Sequence, residues 1–303
     1  SLVFPVAIGL LKTMRPKQWT KNVFVYAGLV FDGQLLQTDS FLRVTAVFFL
    51  LCLSASTVYI INDLVDIERD RQHPTKKNRP LPSGRLPKSV AIVSAIIIPI
   101  VTLLLSTLLT PLLTLVLMSY IVLNILYSFY LKHVVLIDVM SIAASYVLRV
   151  AAGVLVIQVA RFSPWLYADM ALLALFLAIG KRRQEQVSLG EKALLTRPIF
   201  RHYNLTLLDE MLRVVTTSTL IAYILYTIEA PSPLLGRYNM ALLTVPFVMY
   251  AIFRYMYLIY VRGDGSAPDE VILRDRPLQA AFILWAASFV VILYVVPRLL
   301  VPA

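Results

Sequence analysis

Three aspartates at the end of an apolar run have the side chains and the spacing of a cation site. Asp63, Asp66 and Asp70 follow Asn62, where an almost uncharged segment ends in IINDLVDIERDRQHPTKKNRPLPSGR. If a helix continues through this stretch, the i, i+3, i+7 spacing places all three carboxylates on one face. A divalent cation with bound phosphate oxygens would relieve their repulsion, since Mg²⁺ favours a few carboxylates, waters and substrate phosphates. The spacing therefore predicts a metal and diphosphate site; the alternative is a solvated acidic helix end.

Basic residues lie on both sides of this acidic stretch in the sequence. Those that follow carry enough positive charge to hold a diphosphate: Arg69, Arg71, Lys76, Lys77, Arg79, Arg85 and Lys88. Before the first apolar segment, RPKQWTKN places Arg15, Lys17 and Lys21 around Trp19. This second group is either a phosphate anchor or an interfacial belt, with Trp at headgroup level and Lys reaching towards water.

The elements that position these residues are membrane helices. Hydrophobic residues make up 59% of the chain and charged residues 15%, and several apolar runs reach the roughly 20 residues needed to cross a bilayer. We predict an all-α, polytopic membrane protein, a bundle of nine transmembrane helices. Their predicted bounds are about 22–36, 41–62, 88–108, 111–131, 135–158, 163–181, 209–229, 238–260 and 277–301.

The distribution of basic residues predicts the orientation of the bundle. The net charge is +11, but Lys and Arg cluster at the ends of apolar segments, as the positive-inside bias predicts, rather than as a nucleic-acid surface. One set of connections holds most of them, while the other holds only Arg43, Arg161, Arg237 and Arg298. This asymmetry places the N-terminus and all the candidate chemistry on the cytoplasmic side. The partners predicted are phosphate-bearing lipids or metabolites, with no nucleic acid.

The chain is predicted to form a single integral membrane domain, 1–303. No connection is long enough for a separate domain, and the two longest, 63–87 and 182–208, are predicted to cover a membrane-embedded site. The N-terminus lacks the features of a secretory signal, and we expect a short segment on or in the membrane. Cys52 is the only cysteine, which excludes a disulfide within the chain.

The predicted fifth helix carries a polar stripe. Asp138, Ser141, Ser145 and Arg149 follow at i, i+3, i+7 and i+11, so Arg149 lies about 16 Å inside the helix, near mid-bilayer. Ionisable residues at that depth usually face a partner or a water-filled cavity. The stripe therefore predicts a face towards the bundle interior, either as part of a site or as a structural pairing of Arg149 with a neighbouring helix.

Two further cytoplasmic helix ends carry candidate phosphate ligands. Helix four ends in NILYSFYLKH, where Tyr127 and Lys132 could bind phosphate or sugar, or serve as interfacial anchors. Helix six ends in LAIGKRRQEQ, where Lys181, Arg182 and Arg183 are either topological signals or phosphate ligands, because Arg binds phosphate in a bidentate manner.

From these residues alone, the site is a metal and diphosphate centre at the mouth of a bundle whose interior can hold a lipid tail. The string NDLVDIERDR resembles the NDxxDxxxD motif of the UbiA superfamily of intramembrane prenyltransferases, and the resemblance covers nearly the whole chain. More narrowly, RPKQWTKNVFVYAGLVF, RPLPSGR, YSFYLKHVVLIDV, LAIGKRRQE and LRDRPL look like the decaprenyl-phosphate phosphoribosyltransferase branch.

The resemblance implies a nine-helix enzyme that transfers 5-phosphoribose from 5-phosphoribosyl 1-diphosphate to a polyprenyl (decaprenyl) phosphate, releasing diphosphate. It implies Mg²⁺, with Mn²⁺ as an alternative, and a role in making lipid-linked sugar donors for cell-wall arabinan. The implied metal ligands, which include the catalytic aspartates, are Asn62, Asp63, Asp66 and Asp70. The implied substrate-binding residues are Lys17, Lys21, Arg71, Arg79, Tyr127, Lys132, Asp138, Arg149, Lys181, Arg182 and Arg183.

One departure from the wider superfamily favours this branch. Ordinary members carry a second aspartate-rich motif after helix six, where this chain has Lys181, Arg182, Arg183 and Glu185. A basic group there suits a substrate with an additional phosphate. The competing interpretations are a conventional UbiA-type prenyltransferase acting on an aromatic or other acceptor, and a transporter or flippase.

The location implied is a bacterial-type inner (plasma) membrane, with the site facing the cytoplasm. Homo-oligomers are compatible with small-residue faces such as AASYVLRVAAG.

Overall fold

The computed structural model describes residues 3–72, 76–157, 163–190, 198–229, 240–264 and 268–296. Across these ranges every regular element is helical, which confirms the all-α class. Three basic residues assigned above to the outer connections, Arg161, Arg237 and Arg298, lie outside the described residues.

The described residues form twelve α-helices. In chain order they are α1 Val3–Met14, α2 Ala27–Phe31, α3 Thr38–Val65, α4 Ile67–Arg71, α5 Lys88–Leu109, α6 Pro111–Phe129, α7 Ile137–Val154, α8 Pro164–Leu189, α9 Leu205–Glu229, α10 Val245–Tyr260, α11 Pro268–Arg274 and α12 Arg276–Val290. Shorter 3₁₀ segments include Pro16–Tyr26, Lys76–Asn78, Leu131–His133, Pro198–Arg201 and Met240–Thr244, and a π-helical turn, Val291–Val295, follows α12.

Eight segments of the described chain are long and apolar enough to cross a membrane. They correspond to predicted helices two to nine and confirm a polytopic membrane protein. The predicted first helix, 22–36, is wrong as a single α-helix. Its residues form the end of the 3₁₀ segment Pro16–Tyr26 and the five-residue α2, and a turn follows at Gly33, whose φ is 72°.

Close packing accounts for this irregular start. A Cβ at Gly153 of α7 would overlap the carbonyl oxygen of Val25, so the 3₁₀ segment lies directly against α7. Asn22 in the same segment is 1% exposed and accepts a hydrogen bond from Arg149. Apolar content predicts a membrane segment here, but backbone contact and a buried amide determine its conformation.

The chain divides into two compact units. Unit 1 comprises Ser1–Val30, Gln34–Phe129 and Leu148–Gln158. Most of the buried residues of helix α3 lie between Val44 and Asp63. The helix ends beside a small core cluster that includes Ile60, Ile67, Leu81 and Leu86. Partly buried side chains of α1 pack on this cluster. The cluster fixes the end of α3, and so the position of the aspartates that follow.

Unit 2 comprises Phe31–Gly33, Tyr130–Val147 and Val159–Ala303. Its largest core cluster joins side chains of α8, α9 and α10 to Ile199, Phe200 and Tyr203. Helix α8 runs to Leu189, eight residues beyond the predicted end at 181. Lys181, Arg182 and Arg183 therefore lie within a helix rather than in a loop, because the charged residues extend α8 past its apolar part.

Candidate active site

Two of the three predicted aspartates converge on one arginine in unit 1. Nη1 of Arg79 lies 2.8 Å from Oδ2 of Asp70 and 3.3 Å from Oδ1 of Asp63. Lys76 Nζ is 3.7 Å from the other oxygen of Asp70. Helix α3 ends at Val65 and α4 begins at Ile67, but the Asn62–Asp66 and Asp66–Asp70 backbone hydrogen bonds continue the helical spacing across the junction. This continuity brings Asp63 and Asp70 to the same cation, as the i, i+7 spacing predicts.

Arg15 completes this cluster from the preceding segment. Its Nη2 donates to Oδ1 of Asp63 at 2.6 Å, and its guanidinium lies 4.8 Å from the centroid of the Tyr59 ring. Arg15 has a left-handed backbone with φ 53°, a conformation that few residues other than glycine adopt. The turn at Arg15 thus directs a second guanidinium to the aspartates.

The acidic and the basic side chains of the cluster differ in solvent exposure. The side chains of Asp63 and Asp70 are 4% and 2% exposed, whereas those of Arg15 and Arg79 are both 33% exposed. The carboxylates are therefore buried beneath partly exposed guanidinium groups. Such an arrangement offers cations to an incoming phosphate while the aspartates hold them in place.

The other two predicted metal ligands lie beside this cluster. Nδ2 of Asn62 donates to Ser128 of α6 at 3.0 Å, which orients its amide. Asp66 is half-buried at the junction of α3 and α4, and its carboxylate makes no ion pair with the residues that the structure describes. Asp66 is thus the aspartate of the motif that is not compensated by a described cation.

Carboxylate and amide oxygens are suitable ligands for Mg²⁺. No group of three or more His, Cys, Asp or Glu residues in the described ranges is arranged to hold a metal ion. A positive charge nevertheless lies between Asp63 and Asp70, supplied by Arg79. Asn62, Asp63, Asp66 and Asp70 carry the oxygen donors that a divalent cation needs, whereas in this structure Asp63 and Asp70 are paired with the guanidinium groups of Arg15 and Arg79.

The remaining unit 1 candidates do not all join this cluster. Lys17 and Lys21 are exposed on the 3₁₀ segment, Tyr127 is half-buried near the end of α6, and Arg71 pairs with Glu68 at 2.8 Å on the surface. Arg71 is therefore engaged in a local i, i+3 pair.

Arg149 is held by neutral groups of unit 1. Its Nε donates to Oδ1 of Asn22 at 2.9 Å and its Nη2 to the Tyr120 hydroxyl at 2.9 Å. The guanidinium also lies 5.0 Å from the centroid of the Tyr120 ring. The polar stripe of α7 is buried throughout, with 0–7% exposure for Asp138, Ser141, Ser145 and Arg149. These contacts match the structural pairing named as an alternative above.

A second charged network lies in unit 2. Nε of Arg182 donates to Oδ2 of Asp138 at 2.9 Å, and its Nη1 lies 3.2 Å from both oxygens of Glu185. The Tyr203 hydroxyl donates to Oδ1 of Asp138 at 2.7 Å and accepts from the Leu136 N–H at 2.9 Å. Burial, and then the hydrogen bond to Asp138, raise the pKa of Tyr203 well above its usual value. The phenol is therefore protonated and remains a donor.

The cations next to Arg182 are more accessible. Lys181 is exposed, and Nε of Arg183 lies 2.6 Å from Oδ1 of Asp209. Lys132 is half-buried in the 3₁₀ segment Leu131–His133. The two oxygens of Asp138 accept hydrogen bonds from Arg182 and Tyr203, one each.

Two residues that complete the clusters, Tyr203 and Arg15, were not among the ligands implied by the resemblance, although Arg15 belongs to the group predicted as a phosphate anchor or an interfacial belt. Tyr203 belongs to no motif, and only its contact across 65 residues with Asp138 reveals it. Arg15 stands in the RPKQWTKN stretch, whose similarity to the branch described above was an available signal.

Comparison with known proteins determines the family. Residues 22–273 match the UbiA prenyltransferase family. The chain belongs to this family.

Similar UbiA proteins carry a more specific name. This chain is 33% identical to a decaprenyl-phosphate phosphoribosyltransferase of Corynebacterium glutamicum, over 96% of this chain and 89% of that protein. It is 30% identical to the protein of the same name from Mycobacterium tuberculosis, over 92% of each chain. The naming of these relatives, together with the family, identifies a transferase.

A solved structure supports the fold. The structure of a UbiA homolog from Archaeoglobus fulgidus bound to GPP and Mg²⁺ aligns with a TM-score of 0.67 at 19% identity, over 94% of this chain and 99% of that one. The UbiA-type helical fold is thereby confirmed.

Proposed function

We propose that this UbiA family member transfers 5-phosphoribose from 5-phosphoribosyl 1-diphosphate to a polyprenyl phosphate and releases diphosphate. The observation that carries the proposal is the similarity along nearly the whole chain to enzymes named decaprenyl-phosphate phosphoribosyltransferase. The cation-rich clusters support it, because both substrates are polyanions. The lipid-linked product would be a sugar donor for cell-wall arabinan.

The reaction exchanges one C–O bond for another. The bond from the ribose anomeric carbon to the diphosphate breaks, and its electron pair leaves with the diphosphate. A bond forms from the same carbon to an oxygen of the lipid phosphate. That phosphate is already an anion and needs no general base, so catalysis consists mainly of positioning and of neutralising the leaving group. A direct displacement inverts the anomeric carbon, and a product with retained configuration would contradict it.

Asn62, Asp63, Asp66 and Asp70 are the proposed ligands of Mg²⁺, or of Mn²⁺ in its place. When bound, the metal would neutralise charge on the diphosphate. Arg15 and Arg79 are our proposed direct contacts to the same diphosphate, since their guanidinium groups are anchored to buried carboxylates and remain one-third exposed. Arg71, which pairs with Glu68 on the surface, is also proposed to bind substrate phosphate.

The other cations are proposed to bind the 5-phosphate and the lipid phosphate: Lys17, Lys21, Lys132, Lys181 and Arg183. Arg182 and Asp138 are better suited to positioning, because both are almost fully buried and paired with each other. Arg149 is proposed to orient Asn22 and Tyr120 in the same way. Tyr127 is proposed to contact substrate through its hydroxyl.

The proposed setting is a bacterial plasma membrane with this chemistry on the cytoplasmic side, in a single domain spanning 1–303. The positive-inside bias supports the orientation. A homo-oligomer is also proposed, but its contact would lie elsewhere than the small residues of α7, because Ala143, Ala152 and Gly153 are buried within the chain.

A lipid-product assay tests the proposal. Purified protein in detergent with Mg²⁺ is given radiolabelled 5-phosphoribosyl 1-diphosphate and decaprenyl phosphate, and label in the organic phase is measured. We expect transfer that EDTA abolishes and that Asp66→Asn lowers by about 10². Asp66→Asn is the sharpest variant, because it removes a carboxylate without breaking any ion pair within the described residues.

The matched control is Asp39→Asn, which removes a surface carboxylate that pairs with Arg43. It should leave transfer unchanged. Absence of phosphoribosyl transfer, with turnover of a prenyl diphosphate and an aromatic acceptor, would move the chain to the conventional prenyltransferase reaction. Lipid flux in sealed vesicles without covalent turnover would instead indicate a flippase.

A further inference from the structure

Unit 2 contains an apolar cavity apart from all the residues assigned to transfer above. Its volume is about 150 Å³, and it is bordered by side chains of α8, α9, α10 and α12 and by Ile272 of α11. A cavity of about this size holds a molecule such as benzene. The cavity therefore has room for one ring or a short alkyl chain.

Aromatic side chains form much of the cavity wall. They are Phe176, Tyr223, Phe247, Tyr255, Phe282 and Trp285. Hydrogen bonds fix two of these rings, because Nε1 of Trp285 donates to the Tyr223 hydroxyl at 2.7 Å and that hydroxyl bonds Thr244 at 2.5 Å. Aromatic faces attract cations, and cages of such rings are a known means of recognising organic ammonium groups.

One acidic side chain borders this aromatic cavity. Asp169 of α8 is 7% exposed, and its Oδ1 has no hydrogen-bond partner in the part of the chain that the structure describes. The residues that line the cavity include no Lys, Arg or His. A buried carboxyl oxygen without a partner is destabilising, so a ligand that donates a hydrogen bond and brings a positive charge would relieve it.

We propose that this cavity binds a small organic ammonium ion, whose N–H donates to the carboxylate of Asp169 and whose apolar part lies among the aromatic rings. An apolar part of about the size of a phenyl group fits this volume. The ammonium belongs either to a free amine or to a lipid headgroup. The lack of a basic residue in the lining favours an amine without an attached phosphate.

Two probes of equal shape test the proposal. Benzylammonium and benzyl alcohol are titrated into the full chain in phosphatidylglycerol nanodiscs, with tryptophan fluorescence reporting on Trp285 and the thermal unfolding midpoint as a second readout. We expect benzylammonium to bind at least about 10-fold more tightly than benzyl alcohol. Asp169→Asn should remove this preference while leaving the alcohol unaffected, and Asp39→Asn should retain it.

Equal binding of the two probes, or a preference that survives in Asp169→Asn, would overturn the proposal and leave a cavity that takes any apolar molecule. If Asp169→Asn does not fold, the relative affinity of the unmodified chain for the two probes still tests the preference for an ammonium group. Repeating the titration with phosphatidylethanolamine in the nanodiscs separates the two sources of the ammonium. Weaker benzylammonium binding there identifies the lipid headgroup, and unchanged binding identifies a free amine.

Discussion

The aspartates of unit 1 and Asp138 of unit 2 are compensated by arginine in different ways. Asp63 and Asp70 are buried, but their partners Arg15 and Arg79 are each one-third exposed. In unit 2 both partners are buried, since the side chains of Arg182 and Asp138 are 3% and 0% exposed. The first arrangement leaves cationic groups accessible to a ligand, whereas the second encloses them. The sequence alone does not distinguish the accessible arginines of unit 1 from the enclosed arginine of unit 2. The burial of each guanidinium group does.

Replacing Arg182 should have the largest effect on stability. Arg182→Gln leaves Asp138 with a buried charge and, among the described residues, Tyr203 as its remaining partner. Removing one member of a buried pair costs about 3–5 kcal/mol. The free energy of unfolding, measured by SDS denaturation in mixed micelles, should fall by that amount. A decrease in the free energy of unfolding as small as that expected for a surface ion pair would mean that Arg182 is as accessible as Arg79.

Replacing Arg79 should affect activity more than stability. Arg79→Gln removes a proposed diphosphate contact, and loss of one charge-stabilising donor lowers turnover by about 10²-fold. Asp63 retains Arg15 and Asp70 retains Lys76, so we expect a smaller loss of stability than for Arg182→Gln. Measuring turnover and unfolding on the same preparations checks this. A stability loss that accounts for all the lost activity would make Arg79 structural.

The hydroxyl of Tyr203 should have an intermediate effect. Tyr203→Phe removes a donor to Asp138 and the acceptor of the Leu136 N–H, where Leu136 has a left-handed φ of 67°. Unsatisfied buried groups cost about 1–3 kcal/mol, and the free energy of unfolding should fall within that range. An unchanged value would show that water replaces the hydroxyl and that the network is less enclosed than its geometry indicates.

A more exposed pair in unit 2 should give the smallest effect, visible only in its pH dependence. Hydrogen bonding from Arg254 lowers the pKa of Asp275, which also caps α12 by accepting from the Leu278 N–H. Because the folded-state pKa is lowered, the stabilisation is present above the unfolded pKa of about 4 and is lost as the pH falls through the folded pKa. Asp275→Asn keeps the cap and should be less stable at pH 7, with the difference vanishing in acid. A difference independent of pH would exclude a charge effect.

The predictable part of the fold follows from apolar length and spacing. Helices α3, α5 and α6 lie within three residues of their predicted bounds, because long apolar runs bordered by polar residues leave few alternatives. The segment 22–36 was mispredicted, since its conformation depends on a distant glycine. The end of α8 was also mispredicted, because long charged side chains are as compatible with a helix as with a loop.

The predictable part of the site follows from local register. The i, i+7 relation between Asp63 and Asp70 was sufficient to bring them together. Their compensation by Arg15, 48 residues from Asp63, depends on tertiary contact and a left-handed turn. The enclosure of Arg182 likewise depends on Asp138 and Tyr203, both distant in sequence. Spacing along a chain indicates which side chains share a face, but not which charges remain exposed.

The contact between Gly153 and the N-terminal segment has a consequence for folding during synthesis, because the two parts of the chain are made at different times. The backbone at Val25 packs where the side chain of residue 153 would lie, and Asn22 bonds Arg149 across 127 residues. In a nascent chain, α3 can pack against this segment early, but Asn22 and Val25 reach their contacts with α7 only after most of that helix has been made. Nascent chains in which residue 149 has not left the ribosome should leave this segment more open to protease than chains in which residues up to 154 have emerged.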